Sequence, residues 1–170
     1  LTESAVTEQN REYARIIYEN SHGLLDIIND ILDISKVEQG NIEITHEPFA
    51  PTAMFEKVVE LVAIKAKEKS IRFYFYASPT IPELLIGDSV RLRQVLSNLL
   101  GNAIKFTPQD GRVRFEVQQL ERDINSISLR FSIEDSGVGI PKEQQKKIFE
   151  PFMQADNGIE RKFGGTGLGL

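Results

Sequence analysis

The segments Arg112–Leu120 and Ile127–Glu134 constrain the fold more than any other part of the chain. In the second, Leu129, Phe131 and Ile133 occupy alternate positions, the period of a strand with one face buried. The intervening Glu121–Ser126 is polar and reads as a hairpin loop, which makes the two strands antiparallel. A sheet of this kind must cover its apolar face with a second layer. Two helical segments can supply it. One opens at Pro51 or Thr52 and runs to about Lys69, with Phe55, Val58, Val59, Val62 and Ile64 as its apolar positions. The other starts after Asp88, a natural N-cap, and runs to about Phe106, with Leu92, Val95, Leu96, Leu99 and Leu100 facing inward. Between them Ile71–Tyr76 is a strand by aromatic enrichment and alternation, followed by a proline-marked loop at Ser78–Leu84. Pro108–Gly111 is a turn. Helices and strands alternate without a steady βαβ rhythm, so the expected fold is α+β: a two-layer α/β sandwich with a mixed sheet and helices on one face.

A long helix precedes this unit. Over residues 8–39, Ile17, Leu24, Ile28 and Ile31 fall at spacings of seven, four and three, which places them on one stripe. Ile16, Leu25, Ile27 and Leu32 widen the stripe, and a broad stripe on a long helix calls for partner helices. Gly40 and Asn41 end it, and Pro48 and Pro51 punctuate the linker to the next helix. We expect two domains, 1–45 and 46–170. Lys142–Phe149 is expected to be a short helix, and 150–163 a loop.

Composition removes several classes of function. The chain has 170 residues and no cysteine, which excludes disulfides, thiolate metal sites and cysteine nucleophiles. Its net charge of −5, with both signs mixed along the chain, argues against a general affinity for nucleic acid. No apolar run approaches the roughly 20 residues needed to span a bilayer, so no direct membrane contact is expected.

Three short motifs then carry chemistry. Asn98 and Asn102 are four apart on a helix and Lys105 lies three further, all on one side. A carboxamide oxygen of Asn102 suits magnesium, a hard cation that takes oxygen ligands, and Asn98 can hold a phosphate or a metal-bound water. Lys105 can offset phosphate charge. Taken alone, the same residues describe an ordinary solvated helix face. Asp135 stands at the carboxyl end of a strand, where it can accept the exocyclic amine of adenine, and Gly137 and Gly139 let the backbone pass close to a flat ring. Taken alone, Asp135 is equally a local turn-former. Gly164, Gly165, Gly167 and Gly169 expose amides to an anion and can hinge a loop, although an isolated glycine run is more often a linker. The three in this order point to a site for a nucleoside triphosphate with magnesium.

These motifs resemble those of the histidine protein kinases of two-component signalling, whose ATP-binding domain shares its fold with gyrase B, Hsp90 and MutL. Asn98–Thr107 is similar to the family's N box, Asp135–Pro141 to its G1 box, Lys147–Phe152 to its F box and Gly164–Gly169 to its G2 box. Tyr13–Gly40 resembles the second helix of the dimerisation and phosphotransfer domain, and the wording of the boxes is that of the hybrid sensor kinases. The resemblance implies ATP and Mg2+ as cofactors, and roles residue by residue. Asn102 would ligate magnesium with Asn98 assisting, Lys105 would contact phosphate, and Phe106 would line the pocket. Asp135 would fix adenine in a slot shaped by Gly137 and Gly139. Phe149 and Phe152 would anchor a lid from which Arg161 or Lys162 reaches the γ-phosphate, hinged by Gly165, Gly167 and Gly169.

Two departures limit the carry-over. The phosphoacceptor histidine motif is absent: His22, in Ser21-His22-Gly23, lacks the following acid and proline, and His46 lies in the linker. The helix and two strands that follow the glycine run in the family are also missing, so the sheet is expected to lack its C-terminal strands. The resemblance implies a cytoplasmic chain, leaving open whether the parent is anchored in a bacterial inner membrane. Its implied partners are a response regulator or receiver domain and a second kinase protomer. The fragment alone is not expected to autophosphorylate. The alternatives are a non-catalytic interaction module that pairs with another kinase, and a different ATPase of the same fold.

Overall fold

The structure is a computed structural model that describes residues 8–38 and 43–149. The chain divides into two compact units, Leu1–Ile42 and Glu43–Leu170. In the first, α1 spans Glu8–Glu38. Its predicted stripe is exposed at Ile17, Leu24 and Ile28. Glu12 and Arg15, one turn apart, form an exposed ion pair at 2.7 Å, and the guanidinium holds the Glu12 carboxyl below its usual range.

The second unit is a layer of two helices on a three-stranded sheet. In chain order it contains β1 (Glu47–Phe49), α2 (Pro51–Glu68), β2 (Arg72–Ala77), β3 (Leu85–Gly87), α3 (Ser89–Phe106), β4 (Arg112–Arg122) and β5 (Ile127–Asp135). The main sheet has the order β2-β4-β5, with β2 parallel and β5 antiparallel to β4, so it is mixed as expected. The hairpin loop closes where the Asp123 amide donates to the Ser126 carbonyl at 2.8 Å. The short β1 and β3 pair antiparallel as a separate ribbon; three-residue strands are too short to leave a periodic signal in sequence.

One face of the sheet carries the core. Val113, Phe115 and Val117 of β4 are fully buried, paired in register with Phe73, Phe75 and Ala77 of β2; on β5, Ile133 pairs with Phe115 and Phe131 with Val117, and Leu129, opposite Gln119, also packs on the core. From the helical layer Phe55 meets Phe115 and Phe131 edge-on, at ring separations of 6.5 and 5.8 Å. Phe75 stacks on Phe115 at 5.2 Å. Such pairs add to the burial of large apolar rings. Val58, Val62 and Ala66 of α2 and Leu96, Leu100, Ala103 and Ile104 of α3 complete the core. Ile64 and Val95, expected to face inward, are 60% and 53% exposed. Each lies well outside its helix's core arc, which is set by Met54, Phe55, Val58, Val62 and Ala66 in α2 and by Leu96, Leu100, Ala103 and Ile104 in α3.

The helix ends follow local rules. Asp88 caps α3, its Oδ1 accepting from the Arg91 amide at 2.9 Å, while Oδ2 accepts from the Thr45 amide at 3.2 Å. These bonds, led by that from Arg91, hold the Asp88 carboxyl below the usual aspartate range. α2 ends where Ser70 takes φ 56°; the Ser70 amide donates to Lys67 and the Ile71 amide to Ala66, the paired bonds of a Schellman cap. The expected helix over Lys142–Phe149 is instead a run of turns ending in a 3₁₀ turn at Lys147–Phe149. Its amides donate at mixed three- and four-residue spacing, with Gln144 and Gln145 both reaching Pro141. Eight residues with few apolar anchors cannot repay a full helical nucleus.

Candidate functional site

α3 is a helix with two uses. Leu96, Leu100, Ala103 and Ile104 turn into the core, and Asn98, Asn102 and Lys105 lie across the helix from them. The three are nonetheless half-buried, which is not the environment of a solvated helix face. Burial pushes the Lys105 ammonium down from its ordinary range, because desolvation disfavours the charged form. Its Nζ lies 5.1 Å from the centre of the adjacent Phe106 ring.

The carboxyl end of α3 meets the carboxyl end of β5. Asp135 closes the strand, and its Oδ1 accepts from the Gly137 amide at 2.7 Å. Among the described residues Oδ2 has no hydrogen-bond partner, and the side chain is exposed. Ser136 fastens this turn to the start of β4: its amide donates to the Arg112 carbonyl at 3.0 Å, and its Oγ accepts from the Arg112 amide at 2.9 Å. A Cβ on Gly137 would stand 2.6 Å from the Phe106 carbonyl oxygen and 2.6 Å from Asp135 Oδ1. The space that glycine leaves at 137 is therefore filled by the protein itself, where sequence reasoning expected a flat ring. At Gly139 the case differs: φ is +70° and no atom lies within 4 Å of a Cβ, so this glycine answers a backbone conformation and borders open space.

The turn from Asp135 to Gly139 is thus packed on the last turn of the helix that carries Asn98, Asn102, Lys105 and Phe106. Phe149 lies in the 3₁₀ turn. Phe152, Arg161, Lys162, Gly165, Gly167 and Gly169 lie outside the described residues. Among the described residues no group of three or more His, Cys, Asp or Glu side chains could hold a metal, so a cation here would need the amide oxygens of α3 and a ligand's own oxygens.

Within the motifs, two residues that shape this corner carry no signal in the sequence. Thr107 is fully buried; its Oγ1 donates to the Ala103 carbonyl at 2.6 Å and its amide to the same oxygen at 3.1 Å. Ser136 stands inside a motif whose acid and glycines carry the recognisable chemistry. A short polar residue beside a turn gives little signal until its partner strand is placed.

A mixed sheet backed by two helices, with an asparagine-bearing helix abutting an Asp–Gly turn at one end, defines an ATPase-type α/β sandwich. Residues 87–170 match the family described as histidine kinase-, DNA gyrase B-, and HSP90-like ATPase. The hybrid signal transduction histidine kinase L of Dictyostelium discoideum is 39% identical over 170 residues, covering 100% of this chain and 10% of that protein. Full-length ShkA, solved in complex with AMPPNP, superposes with a TM-score of 0.74 at 31% identity over 98% of this chain and 33% of its own. The catalytic domain of the histidine kinase ThkA, solved nucleotide-free, gives 0.59 at 30% identity over 76% of each chain. The same kinase in complex with the response regulator protein TrrA gives 0.62 at 26% identity over 91% of this chain and 42% of its own. The chain belongs to the histidine kinase family and carries its ATP-binding catalytic portion. It spans about a tenth of the length of the hybrid kinase it matches.

Proposed function

We propose that the corner between α3 and the Asp135–Gly139 turn binds Mg-ATP, and that the parent protein transfers the γ-phosphoryl group to a histidine in two-component signalling. The observation that carries the reading is the seating of Gly137 on the Phe106 carbonyl, which fixes the exposed Asp135 carboxylate beside the helix that bears Asn98 and Asn102. The Gly137 amide occupies Oδ1 and so orients the carboxylate, leaving Oδ2 to accept an exocyclic amine from adenine. Gly139 borders the open side of that slot, and Phe106 lines it. Asn102 offers its amide oxygen to magnesium and Asn98 assists at the phosphates. Lys105, partly desolvated, regains a favourable setting beside a polyanion. Phe149 and Phe152 anchor a lid over the site, Arg161 or Lys162 reaches the γ-phosphate, and Gly165, Gly167 and Gly169 hinge the lid.

Bound ATP supplies the phosphoryl group, and the protein's part is positioning and charge offset. The family supports a response regulator or receiver domain as partner. The exposed stripe of α1 supports pairing with a second protomer. Among the described residues no helix is long and apolar enough to cross a membrane. We assign the chain to the cytoplasm, with the parent's membrane anchoring a matter for its flanking sequence.

Calorimetry with Mg-ADP tests the reading. Saturable binding is expected, and Asp135→Asn should weaken it at least about tenfold, because the lost carboxylate acceptor is worth roughly 1.5–3 kcal/mol. Equal affinities for the two proteins would overturn the adenine assignment.

A further inference from the structure

Lys69 lies outside all three motifs, yet it reaches the same corner. It is the C-cap residue of α2, between Glu68 and the left-handed Ser70, and its side chain crosses to the end of α3. Its Nζ donates to the carbonyls of Ile104 at 2.9 Å, Lys105 at 2.8 Å and Thr107 at 3.3 Å. A helix leaves its last carbonyls without intrahelical donors, and a cation there also complements the negative end of the helix dipole. α3 has no glycine cap. Its chain leaves in an extended conformation at Thr107, φ −81° and ψ 129°, and the Thr107 amide and hydroxyl both serve Ala103. The carbonyls of Ile104 and Lys105 are those that Lys69 takes up, and the carbonyl of Phe106 between them and Thr107 is the one on which Gly137 sits. Consecutive peptide groups are thus gripped from one side by an ammonium of α2 and from the other by the Asp135 turn.

We propose that Lys69 is a positioning residue of the nucleotide site, holding the last turn of α3 against Gly137 so that Lys105, Phe106 and Asp135 keep their mutual register. The proposal rests on the assignment of this corner to Mg-ATP. It gives the Ser70 turn a purpose. The left-handed residue stops α2 one position past Lys69, so the side chain leaves from a fixed helix end and does not fray. Lys69 works through backbone: its bonds to the Ile104, Lys105 and Thr107 carbonyls reduce the freedom of the peptide groups that carry the predicted ligand contacts.

The experiment compares the unaltered protein, Lys69→Met, Lys69→Arg and Val62→Ala by Mg-ADP calorimetry at 10 °C, each also melted by circular dichroism. Val62 is buried on α2 about two helical turns before Lys69 and makes none of the hydrogen bonds to the end of α3, so its truncation supplies a loss of stability that leaves the Lys69 bonds in place. Lys69→Met is expected to weaken Mg-ADP at least about fivefold while still folded at 10 °C, Val62→Ala to stay within twofold, and Lys69→Arg to recover part of the loss. Lys69→Met within twofold of the unaltered protein overturns the positioning role. So does a Val62→Ala loss as large as that of Lys69→Met, since affinity would then track stability alone. No saturable binding by the unaltered protein overturns the nucleotide reading itself, which is a separate result.

Discussion

Gly137→Ala is the substitution on which the geometry of the site is most exposed to test. The added methyl would lie 2.6 Å from the Phe106 carbonyl oxygen and 2.6 Å from Asp135 Oδ1, where ordinary contact begins at 3.4 Å. The carboxylate can rotate away, but only by giving up its bond from the residue 137 amide. The carbonyl has no such freedom, because it belongs to the last turn of a helix whose neighbouring carbonyls are held by Lys69. The turn must therefore retreat from α3 by about 0.8 Å, the shortfall from ordinary contact. Overpacking of this kind costs about 1–3 kcal/mol, or several degrees of melting temperature for a domain of this size. A displacement near 1 Å in a ligand-positioning group can cost up to about a hundredfold in function, so Mg-ADP affinity should fall by more than the stability loss suggests. Gly139→Ala is the control for stability. Its Cβ meets nothing, and only the positive φ opposes it, at about 1 kcal/mol. Thermal melts and calorimetry on both variants decide the matter: if Gly137→Ala melts with the unaltered protein and binds Mg-ADP equally well, the packing of the Asp135 turn on α3 is not as described.

Two further outcomes come from the helix ends. Ser70 holds φ 56° without being glycine, so Ser70→Gly should raise stability by about 0.5–1 kcal/mol in urea unfolding, and a loss would show that the serine side chain has a role in the cap. The Asp88 carboxyl is held below its ordinary range, chiefly by the Arg91 amide, so it contributes stability that is present above the unfolded aspartate value of about 3.9 and is lost as pH falls through the lower folded value. Asp88→Asn should therefore flatten the fall in stability between about pH 5 and pH 2, measured by urea unfolding across that range; parallel curves would contradict it.

The elements whose side chains repeat were legible in the sequence. Leu129, Phe131 and Ile133 announce β5, and the expected end of α3 at Phe106 is where the helix stops. What escaped was set by tertiary position. An extended piece is legible over residues 42–49, where β1 lies, but β3 and its pairing with β1 leave no period to read. Val95 and Ile64 look like core residues in a linear pattern, and only the placement of the sheet shows that the helices are buried along a narrower arc. In the site, Asp135 and the two asparagines stood out because their residue types suit nucleotide chemistry. Lys69 did not, because a lysine at the end of a helix ordinarily extends into water and its partners lie more than thirty residues further on.

The same distinction bears on how this corner can work. A site made only of motif residues would depend on side chains of one helix and one turn finding each other at each binding event. Here the contact is made through backbone: the Phe106 carbonyl against Gly137, and the Ile104 and Lys105 carbonyls on Lys69. Backbone of a packed helix has little freedom left to lose, so ordering costs are met by folding and not by the ligand. The core face of α3, through Leu96, Leu100, Ala103 and Ile104, anchors that backbone to the sheet that ends in Asp135. Loosening the helix at its core face should then weaken nucleotide binding only where the slack reaches residues 104–107. This is why the Val62→Ala control places the disturbance on α2, about two turns before Lys69.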